Sequence, residues 1–341
     1  MKLSIVDLGT VAPGTTASQA LSDALATARQ ADALGYHRIW FAEHHGAAAN
    51  ASANPELLIA AAATQTSGVR IGSGAVLLNH YSPFKVAEMF KQLDAMFPDR
   101  IDLGIGRATA GRVLDIALRR DRNAARVDDY HEQVQEVLAW LHDAFAAGHP
   151  FVGHPLLPSV PTAPQTWLLG SSPSGSNLAA QLGVGYTFAG FINPAAAAGA
   201  LQNYRRKFVA TPFGAGRPRA MLGVNVTVAE TAEEAAWLVS SVKGFYAQLG
   251  RGDYASTVPA PEQAMALLTN EQRDEPTAIV DGVWPRFVAG SAEEVRDTLD
   301  RMVRESGADE VIVQDMIARA EDRHKSQARL AQIYELNPRR I

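Results

Sequence analysis

The sequence predicts a single (β/α)8 barrel, the TIM-barrel architecture, with an insertion between its seventh and eighth strands. Short apolar segments alternate with longer segments of helical periodicity, and eight such pairs follow one another along 341 residues. The apolar segments are near-continuous, which is typical of strands buried on both faces of a parallel sheet. Barrels of this kind run ~250 residues and exceed 400 with insertions, so one enlarged domain over 1–341 fits the length.

The strands and helices follow from local patterns. Eight strands are predicted at 3–8, 38–43, 69–77, 101–106, 166–170, 185–189, 220–228 and 310–314. The clearest helices are predicted at 17–34, 55–66, 83–97 and 319–336. Gly35 is the stop signal of the first helix, and the pairs Asn54-Pro55 and Ser82-Pro83 are start signals of the next two. Ser291 and Glu294 form a capping box that opens a further helix.

The regular alternation fails at residues 250–285, which precede the last helix–strand pair. This segment is rich in Gly, Pro and polar residues. A long irregular segment in a compact domain is usually a lid or a mobile loop. Trp284, Phe245 and Tyr246 lie near its ends; they would line a closed pocket, or simply pack in the core, which is the commoner role of such side chains.

Composition excludes several classes of protein. The chain contains no cysteine, so a disulfide scaffold, a thiolate nucleophile and Cys-ligated metal sites are excluded. A formal net charge of -5 argues against a nucleic-acid binder. No uncharged apolar segment approaches the ~20 residues of a membrane-spanning helix. Asp7 interrupts the N-terminal stretch before the core of a signal peptide could form. We therefore expect a cytoplasmic protein without nucleic-acid or membrane partners.

Because barrel enzymes carry their reactive groups at the C-terminal ends of strands, strand ends select the candidate residues. Strand two ends in His44 and His45, which point to opposite faces, so one of them faces the barrel mouth. This geometry does not suit two metal ligands, and we expect no metal site. One histidine suits proton transfer or hydrogen bonding; the alternative is a structural pair. His80, after strand three, is also placed to reach the mouth.

Strands three to five end in small residues, one arginine and several serines. Gly74 and Ala75 lie within strand three, where glycine marks a bulge or a close approach of a ligand or of another backbone. Arg107 ends strand four, and arginine matches phosphate geometry; a surface ion pair is the alternative. The turn after strand five presents hydroxyls and backbone N–H groups before a helix predicted at 177–182, which suits an anion site; an ordinary helix cap with spare serines is the alternative. Its candidate ligands are Gly170, Ser171, Ser172, Gly175 and Ser176.

These motifs together resemble the bacterial luciferase-like flavin monooxygenases. The similar segments span nearly the whole chain in the family's order: 35–45 for the second strand, 72–76 and 82–88 for the third strand and its helix, 100–107 for the fourth strand, 168–172 and 179–183 for the fifth strand and phosphate helix, and 288–295 for a late helix start. Each motif is weak alone; the combination is specific.

The resemblance implies FMN bound at the barrel mouth, with its phosphate against Arg107 and the serine turn. The flavin ring would lean on a non-prolyl cis peptide that maps to Gly74–Ala75. His44 matches the family's catalytic histidine, and His45 matches a structural position. Two departures bear on the site: the segment 108–111 lacks the bulkier residues that luciferases place against the flavin, and Pro173 removes an N–H donor from the phosphate turn.

The implied reaction is oxygenation of a small organic substrate, an aldehyde or another carbonyl compound, by a C4a-peroxyflavin formed from reduced FMN and O₂. A separate NAD(P)H-dependent flavin reductase would supply reduced FMN transiently, and a homodimer is expected from the family. Gly104 and Gly106 are followed by Gly111, which misses the dinucleotide spacing and agrees with a separate reductase. Two alternatives remain: a deazaflavin-dependent hydride-transfer oxidoreductase, and a non-catalytic flavin-binding subunit.

Overall fold

The computed structural model describes residues 1–119, 121–123 and 127–339. In these ranges parallel strands form one sheet, with helices packed around its outside. The strands are β1 (Lys2–Asp7), β2 (Arg38–Phe41), β3 (Arg70–Ser73), β4 (Val76–Leu77), β5 (Ile101–Gly106), β6 (Gln165–Gly170), β7 (Gly185–Ala189), β8 (Ala220–Val228), β9 (Phe287–Gly290) and β10 (Glu310–Gln314).

The sheet closes on itself because β10 pairs with both β1 and β8. Around the closed sheet the order is β1, β2, β3 with β4, β5, β6, β7, β8 and β10, so the predicted (β/α)8 barrel is confirmed. The additional strand β9 was not predicted. It pairs with the C-terminal half of β8, from Asn225 to Val228, and extends the barrel wall beyond the end of β7.

The helices of the described ranges lie between the strands. They are α1 (Ala17–Leu34), α2 (Pro55–Ala63), α3 (Pro83–Met96), α4 (Arg112–Ala117), α5 (Tyr130–His142), α6 (Pro173–Leu182), α7 (Pro194–Lys207), α8 (Ala232–Gly250), α9 (Pro261–Leu267), α10 (Asn270–Arg273), α11 (Ala292–Ser306) and α12 (Ala320–Ile333).

Most helix ends agree with their sequence signals. Gly35 ends α1 in the left-handed conformation, with φ of 87°. The Glu294 carboxylate accepts from Ser291 N at 2.8 Å and from its hydroxyl at 2.9 Å, which fixes the start of α11. One prediction was wrong: α6 begins at Pro173 rather than at residue 177, because Ser172 is extended and Pro173 already has the φ of a first helical residue.

The third barrel strand is broken, whereas the sequence predicted one strand over 69–77. The Gly74–Ala75 peptide bond is cis and separates β3 from β4. Beside the break, the Ser73 hydroxyl donates to Gly104 O at 2.9 Å and accepts from Gly104 N at 3.0 Å. The Ser73 side chain therefore takes the place of backbone hydrogen bonds at this point, and it holds β3 and β5 together where their backbones separate.

The N-terminal end of the barrel is closed by buried charges. The Arg38 guanidinium, 2% exposed as a residue, donates to Asp102 at 2.5 Å and to Glu310 at 2.7 Å. Asp102 also accepts from Arg70 at 2.9 Å, and Glu310 accepts from the Ser4 hydroxyl. Each buried charge here has an opposite charge, which such burial requires.

The segment 250–285 is not structureless. It contains α9 and α10, and backbone hydrogen bonds tie it to the loops that follow β1 and β2. Val258 N donates to Val11 O at 2.9 Å, and Ala48 N donates to Tyr254 O at 3.0 Å. The segment therefore lies against two loops at the C-terminal end of the barrel, while its role as a lid stays a prediction.

No helix in the described ranges has the length and apolar composition needed to cross a membrane.

Candidate active site

A cavity of about 940 Å³ opens at the C-terminal ends of β5 and β6. One wall is the β6–α6 turn; the opposite walls come from the residues after β4 and from the long connection between β5 and α5. Its polar lining includes Asn79, His80, Tyr81, Arg107, Thr109, Asp115, Asp128, Ser171, Ser172 and Ser174. The cavity lies at the end of the barrel where the sequence predicted the site, and its volume is at the upper end of the range for small-molecule pockets.

The β6–α6 turn gives the cavity an electropositive helix end. Gly170, Ser171, Ser172 and Gly175 line the cavity, as does Ser174, whose hydroxyl lies 2.9 Å from that of Ser172. The first backbone N–H groups of a helix have no acceptor within the helix, so those of α6 point toward its open end. Pro173 contributes none of them, which leaves the amides of Ser174 and Gly175.

Ser176 is placed differently from the other serines. It is fully buried and does not line the cavity. Its hydroxyl donates to Pro173 O at 2.6 Å and accepts from the Asn203 amide at 2.9 Å. Because α6 begins four residues earlier than predicted, Ser176 lies inside the helix, and its side chain holds the first turn.

Arg107 follows β5 directly and lines the same cavity as the serine turn, which follows the neighbouring strand β6. Its guanidinium pairs with the Asp128 carboxylate at 2.9 Å and lies 5.9 Å from the centre of the Tyr130 ring. Both partners of the ion pair are largely exposed, with side chains 54% and 68% accessible. The arginine is thus available to a ligand that competes with Asp128.

The strand glycines approach other strands rather than the cavity. A Cβ at Gly104 would collide with the Ser73 carbonyl, and one at Gly106 would lie 3.0 Å from the Ala75 Cβ. A Cβ at Gly74 would lie 3.1 Å from both Trp40 and Val6, inside the barrel. Neither Gly74 nor Ala75 lines the 940 Å³ cavity, although Ala75 touches the end of the strand that carries Arg107.

The two adjacent histidines have different surroundings. His45 lies 2.7 Å from the buried Glu43 carboxylate, which also accepts from the Tyr81 hydroxyl at 2.7 Å and from Leu77 N at 2.9 Å. These bonds join the end of β2 to the cavity wall that follows β4. His45 is therefore part of a hydrogen-bond network between β2 and this wall, and the structural role that the resemblance implies stays a prediction.

His44 lies outside that network and outside the cavity lining. Its backbone N–H donates to Ser52 O at 2.9 Å, but its buried ring nitrogen Nδ1 has no hydrogen-bond partner among the described residues. Burial, with a smaller contribution from His45, lowers the pKa of His44 to about 4. The imidazole is therefore neutral at physiological pH and has one free nitrogen.

The structure adds residues that sequence reasoning missed. Tyr81, Thr109, Asp115, Asp128 and Tyr130 line the cavity together with His80, whose pKa is lowered by burial although Asp115 lies 3.8 Å away. Most of them belong to the connection between β5 and α5. The sequence signal that could have identified them is the length of this connection, because long connections often carry functional residues.

The aromatic residues near 250–285 have core roles. Trp284 is buried and donates to Glu305 at 2.6 Å, and Phe245 is buried against Tyr246. The Tyr246 hydroxyl accepts from Gln314 at 3.3 Å, at the C-terminal end of β10. Across residues 1–119, 121–123 and 127–339, no group of three His, Asp or Glu side chains is placed to hold a metal ion.

Comparison with known proteins identifies a matching family and several relatives of this chain. A family model described as luciferase-like monooxygenase matches residues 1–310. A luciferase-like monooxygenase of Escherichia coli (strain K12) is 33% identical over 92% of this chain and 91% of its own. The N-acetyl-S-alkylcysteine monooxygenase of Bacillus subtilis (strain 168) is 34% identical over 89% of both chains. The crystal structure of apo-MsnO8 is 41% identical, covers 99% of both chains and has a TM-score of 0.89.

Two more distant structures share the fold. The oxygenating constituent of 3,6-diketocamphane monooxygenase from Pseudomonas putida, in complex with FMN, is 21% identical over 97% of both chains, with a TM-score of 0.68. The coenzyme F420 dependent tetrahydromethanopterin reductase from Methanopyrus kandleri is 13% identical over 98% of this chain and 99% of its own, also with a TM-score of 0.68. On the extent of the family match and of the relatives above 30% identity, the chain belongs to the luciferase-like monooxygenase family.

Proposed function

We propose that the protein is an FMN-dependent monooxygenase that oxygenates a small organic substrate, a carbonyl compound being the class the resemblance suggests. The proposal fits the family and agrees with the relative named as a monooxygenase at 34% identity. Bound reduced FMN would supply the electrons that activate O₂. The chain's own residues bind and orient the flavin, exclude water and hold a proton.

One observation carries the proposal: a cationic side chain and an open helix end line the same cavity. Arg107 lies on one wall, and the Ser171–Ser172 backbone and the N-terminus of α6 lie on another. A phosphate between them would accept charge-assisted hydrogen bonds from the guanidinium and bonds from the serine hydroxyls and from the amides of Ser174 and Gly175. Arg107 would then exchange Asp128 for the phosphate.

The proposal places the flavin ring between the cavity and the Gly74–Ala75 bend, which borders the end of β5 but does not line the cavity. The cavity volume of about 940 Å³ accommodates a mononucleotide with room for a small substrate. Gly74–Ala75 is a bend of small residues beside the end of β5, and it would support a flat ring. The Nδ1 of His44 is one of several buried polar atoms without a hydrogen-bond partner among the described residues, and a ligand group that reached it would satisfy it.

His44 is the proposed catalytic residue. As a neutral imidazole it would donate or accept one hydrogen bond at Nδ1 and hold or move one proton there. The segment 250–285 would exclude water from the closed site. A separate flavin reductase would deliver reduced FMN, and we expect a homodimer.

The proposal is tested by mixing the apoprotein with photoreduced FMN and oxygenated buffer in a stopped-flow instrument. We expect oxygen consumption to precede the return of oxidised-flavin absorbance, because the protein shields the reacting flavin from water. Free FMN provides the control. Identical traces with and without protein, under conditions where FMN is shown to bind, would contradict a monooxygenase. Tight binding of F420 with no binding of FMN would favour hydride transfer instead.

A further inference from the structure

A second polar cluster lies inside the barrel mouth, across from the phosphate site. It consists of Asn225 on β8, Tyr246 on α8, Arg286 before β9 and Gln314 on β10, and is called here the Arg286 cluster. None of these residues lines the 940 Å³ cavity, and the proposed flavin site does not use them.

The strand register explains why these polar groups meet. Gln314 pairs with Asn225 on one side and with Val6 on the other, and Asn225 pairs with Phe287. Side chains two or four residues apart on a strand point to the same face. Asn225 therefore shares a face of β8 with Met221, and Gln314 shares a face of β10 with Ile312. Met221 and Ile312 pack with Val6 and Trp40 in a cluster of buried apolar side chains. Both amides therefore face the barrel interior, on one row, at the last residue of β10.

Arg286 is the unusual member. Its guanidinium lies 4.2 Å from the centre of the Tyr246 ring, and its Nε donates to Phe191 O at 3.0 Å. Within the described ranges its two terminal nitrogens have no hydrogen bond, and no carboxylate lies within 4.0 Å of it. The side chain is half-buried, yet by contrast with Arg38 at the other end of the barrel it has no opposite charge.

A second, independent observation also indicates a missing ligand. Asn225 is 2% exposed as a residue; its side-chain amide donates to Arg286 O at 3.3 Å and is also hydrogen-bonded to Tyr246, but its oxygen has no partner in the part of the chain that the structure describes. Buried polar atoms are almost always hydrogen-bonded. An N–H or O–H of a ligand would satisfy this oxygen.

The cluster lies beside the bend where the flavin ring is expected. Val6, which pairs with Gln314, is also 3.1 Å from the position of a Cβ on Gly74. Val6 therefore connects the strand pair that carries Gln314 to the Gly74–Ala75 bend. This is the side of the mouth that a flavin phosphate at Arg107 would leave free.

We propose that the Arg286 cluster is a substrate subsite that binds a carboxylate, and hence that the small organic substrate carries a carboxylate group besides the group that is oxygenated. The carboxylate would accept two parallel hydrogen bonds from the guanidinium terminus, which Tyr246 and the Phe191 carbonyl hold in one orientation. The inference depends on the proposed function only in calling the bound acid a substrate. Carboxylate binding itself is measured without oxygen or turnover.

The test is isothermal titration calorimetry with two matched pairs: N-acetylmethionine against its amide, and hexanoate against hexanamide. We expect at least one carboxylate to bind at least 10-fold more tightly than its amide. In Arg286→Gln that preference should fall to less than 2-fold, and in Arg286→Lys it should fall by at least 3-fold, because lysine cannot form the two parallel bonds. Arg217→Gln, at an exposed arginine, is the charge-matched control and should keep the full preference.

Three results would overturn the subsite: no carboxylate binding below 10 mM, a wild-type preference under 3-fold, or an Arg286→Lys variant with unchanged preference. The Lys variant keeps the charge, so it decides the question if the Gln variant does not fold. Titrations are run with and without FMN. A carboxylate preference in a protein that fails to bind FMN would refute the proposed cofactor and leave the subsite standing.

Discussion

Replacement of Arg107 by glutamine separates phosphate binding from flavin-ring binding. Arg107→Gln keeps a polar side chain at the end of β5 but removes the charge that faces the serine turn. We expect weaker binding of FMN and unchanged binding of riboflavin, which has the same ring system and no phosphate. The comparison of the two ligands isolates the contact that the proposal assigns to Arg107.

The size of the effect follows from what the arginine contacts in each state. A hydrogen bond to a charged group contributes about 1.5–3 kcal/mol. In the ligand-free protein Arg107 already pairs with Asp128, but both side chains are more than half exposed, and such pairs are worth about 0–1 kcal/mol. The difference is about 0.5–3 kcal/mol, which corresponds to about a 2- to 160-fold rise in the FMN dissociation constant.

Quenching of flavin fluorescence on titration with apoprotein measures both dissociation constants. Arg217→Gln controls for the loss of one positive charge at an exposed position. In Asp128→Asn, where Arg107 is no longer paired, FMN should bind up to about 5-fold more tightly. The phosphate assignment would be refuted if Arg107→Gln weakened the binding of FMN and riboflavin equally, or if it weakened the binding of neither ligand.

Three further predictions concern buried ionisable groups. Since burial lowers the pKa of His44 to about 4, its ring should not titrate between pH 5.5 and 8 in NMR spectra. His44→Ala should abolish oxygenation while FMN affinity changes less than about 2-fold. Full turnover in that variant would exclude His44 as the catalytic group. Burial raises the pKa of Asp315 to about 7, despite the opposing charge of Arg323, so the folded protein retains a proton between about pH 4 and 7 that the unfolded chain has lost. The free energy of unfolding should therefore fall with rising pH in that window, by up to about 1.4 kcal/mol per pH unit relative to Asp315→Asn, and urea unfolding curves with parallel pH dependence would contradict this. Glu43→Gln removes the charge from an acceptor of three hydrogen bonds and should cost about 1–3 kcal/mol in urea unfolding. Glu88→Gln, at a partly exposed carboxylate that loses only its surface ion pair with Lys85, should cost less than about 1 kcal/mol.

Much of the fold was predictable because the barrel strands are buried on both faces. Apolar runs such as 101–106 and 310–314 match the observed strands to the residue, and α1 matches 17–34. The break at Gly74–Ala75 was not predictable from hydrophobicity, since both residues are small and fit a continuous strand. Strand β9 was not predicted because it forms by pairing with the C-terminal half of β8, a long-range contact that no local pattern encodes.

The position of a candidate residue was predictable where it follows from a strand end, while its role stays a prediction. Arg107 and Ser171 were found because they end adjacent strands, and adjacent parallel strands end at one edge of a barrel. Ser176 was misplaced because the prediction began α6 four residues too late. Asp128 and Arg286 were missed because they lie on irregular segments, where sequence spacing does not determine position in space.

The charged floor of the barrel has a consequence for the order of events. Arg38, Asp102 and Glu310 block the N-terminal end, and the edge-to-face indoles of Trp40 and Trp167 lie inside the same interior. Under the proposed function, flavin, oxygen and substrate would therefore enter from the opposite rim, where the 940 Å³ cavity opens. The molecule that binds deepest would then enter first and leave last, so the closed floor would impose an order of binding and release.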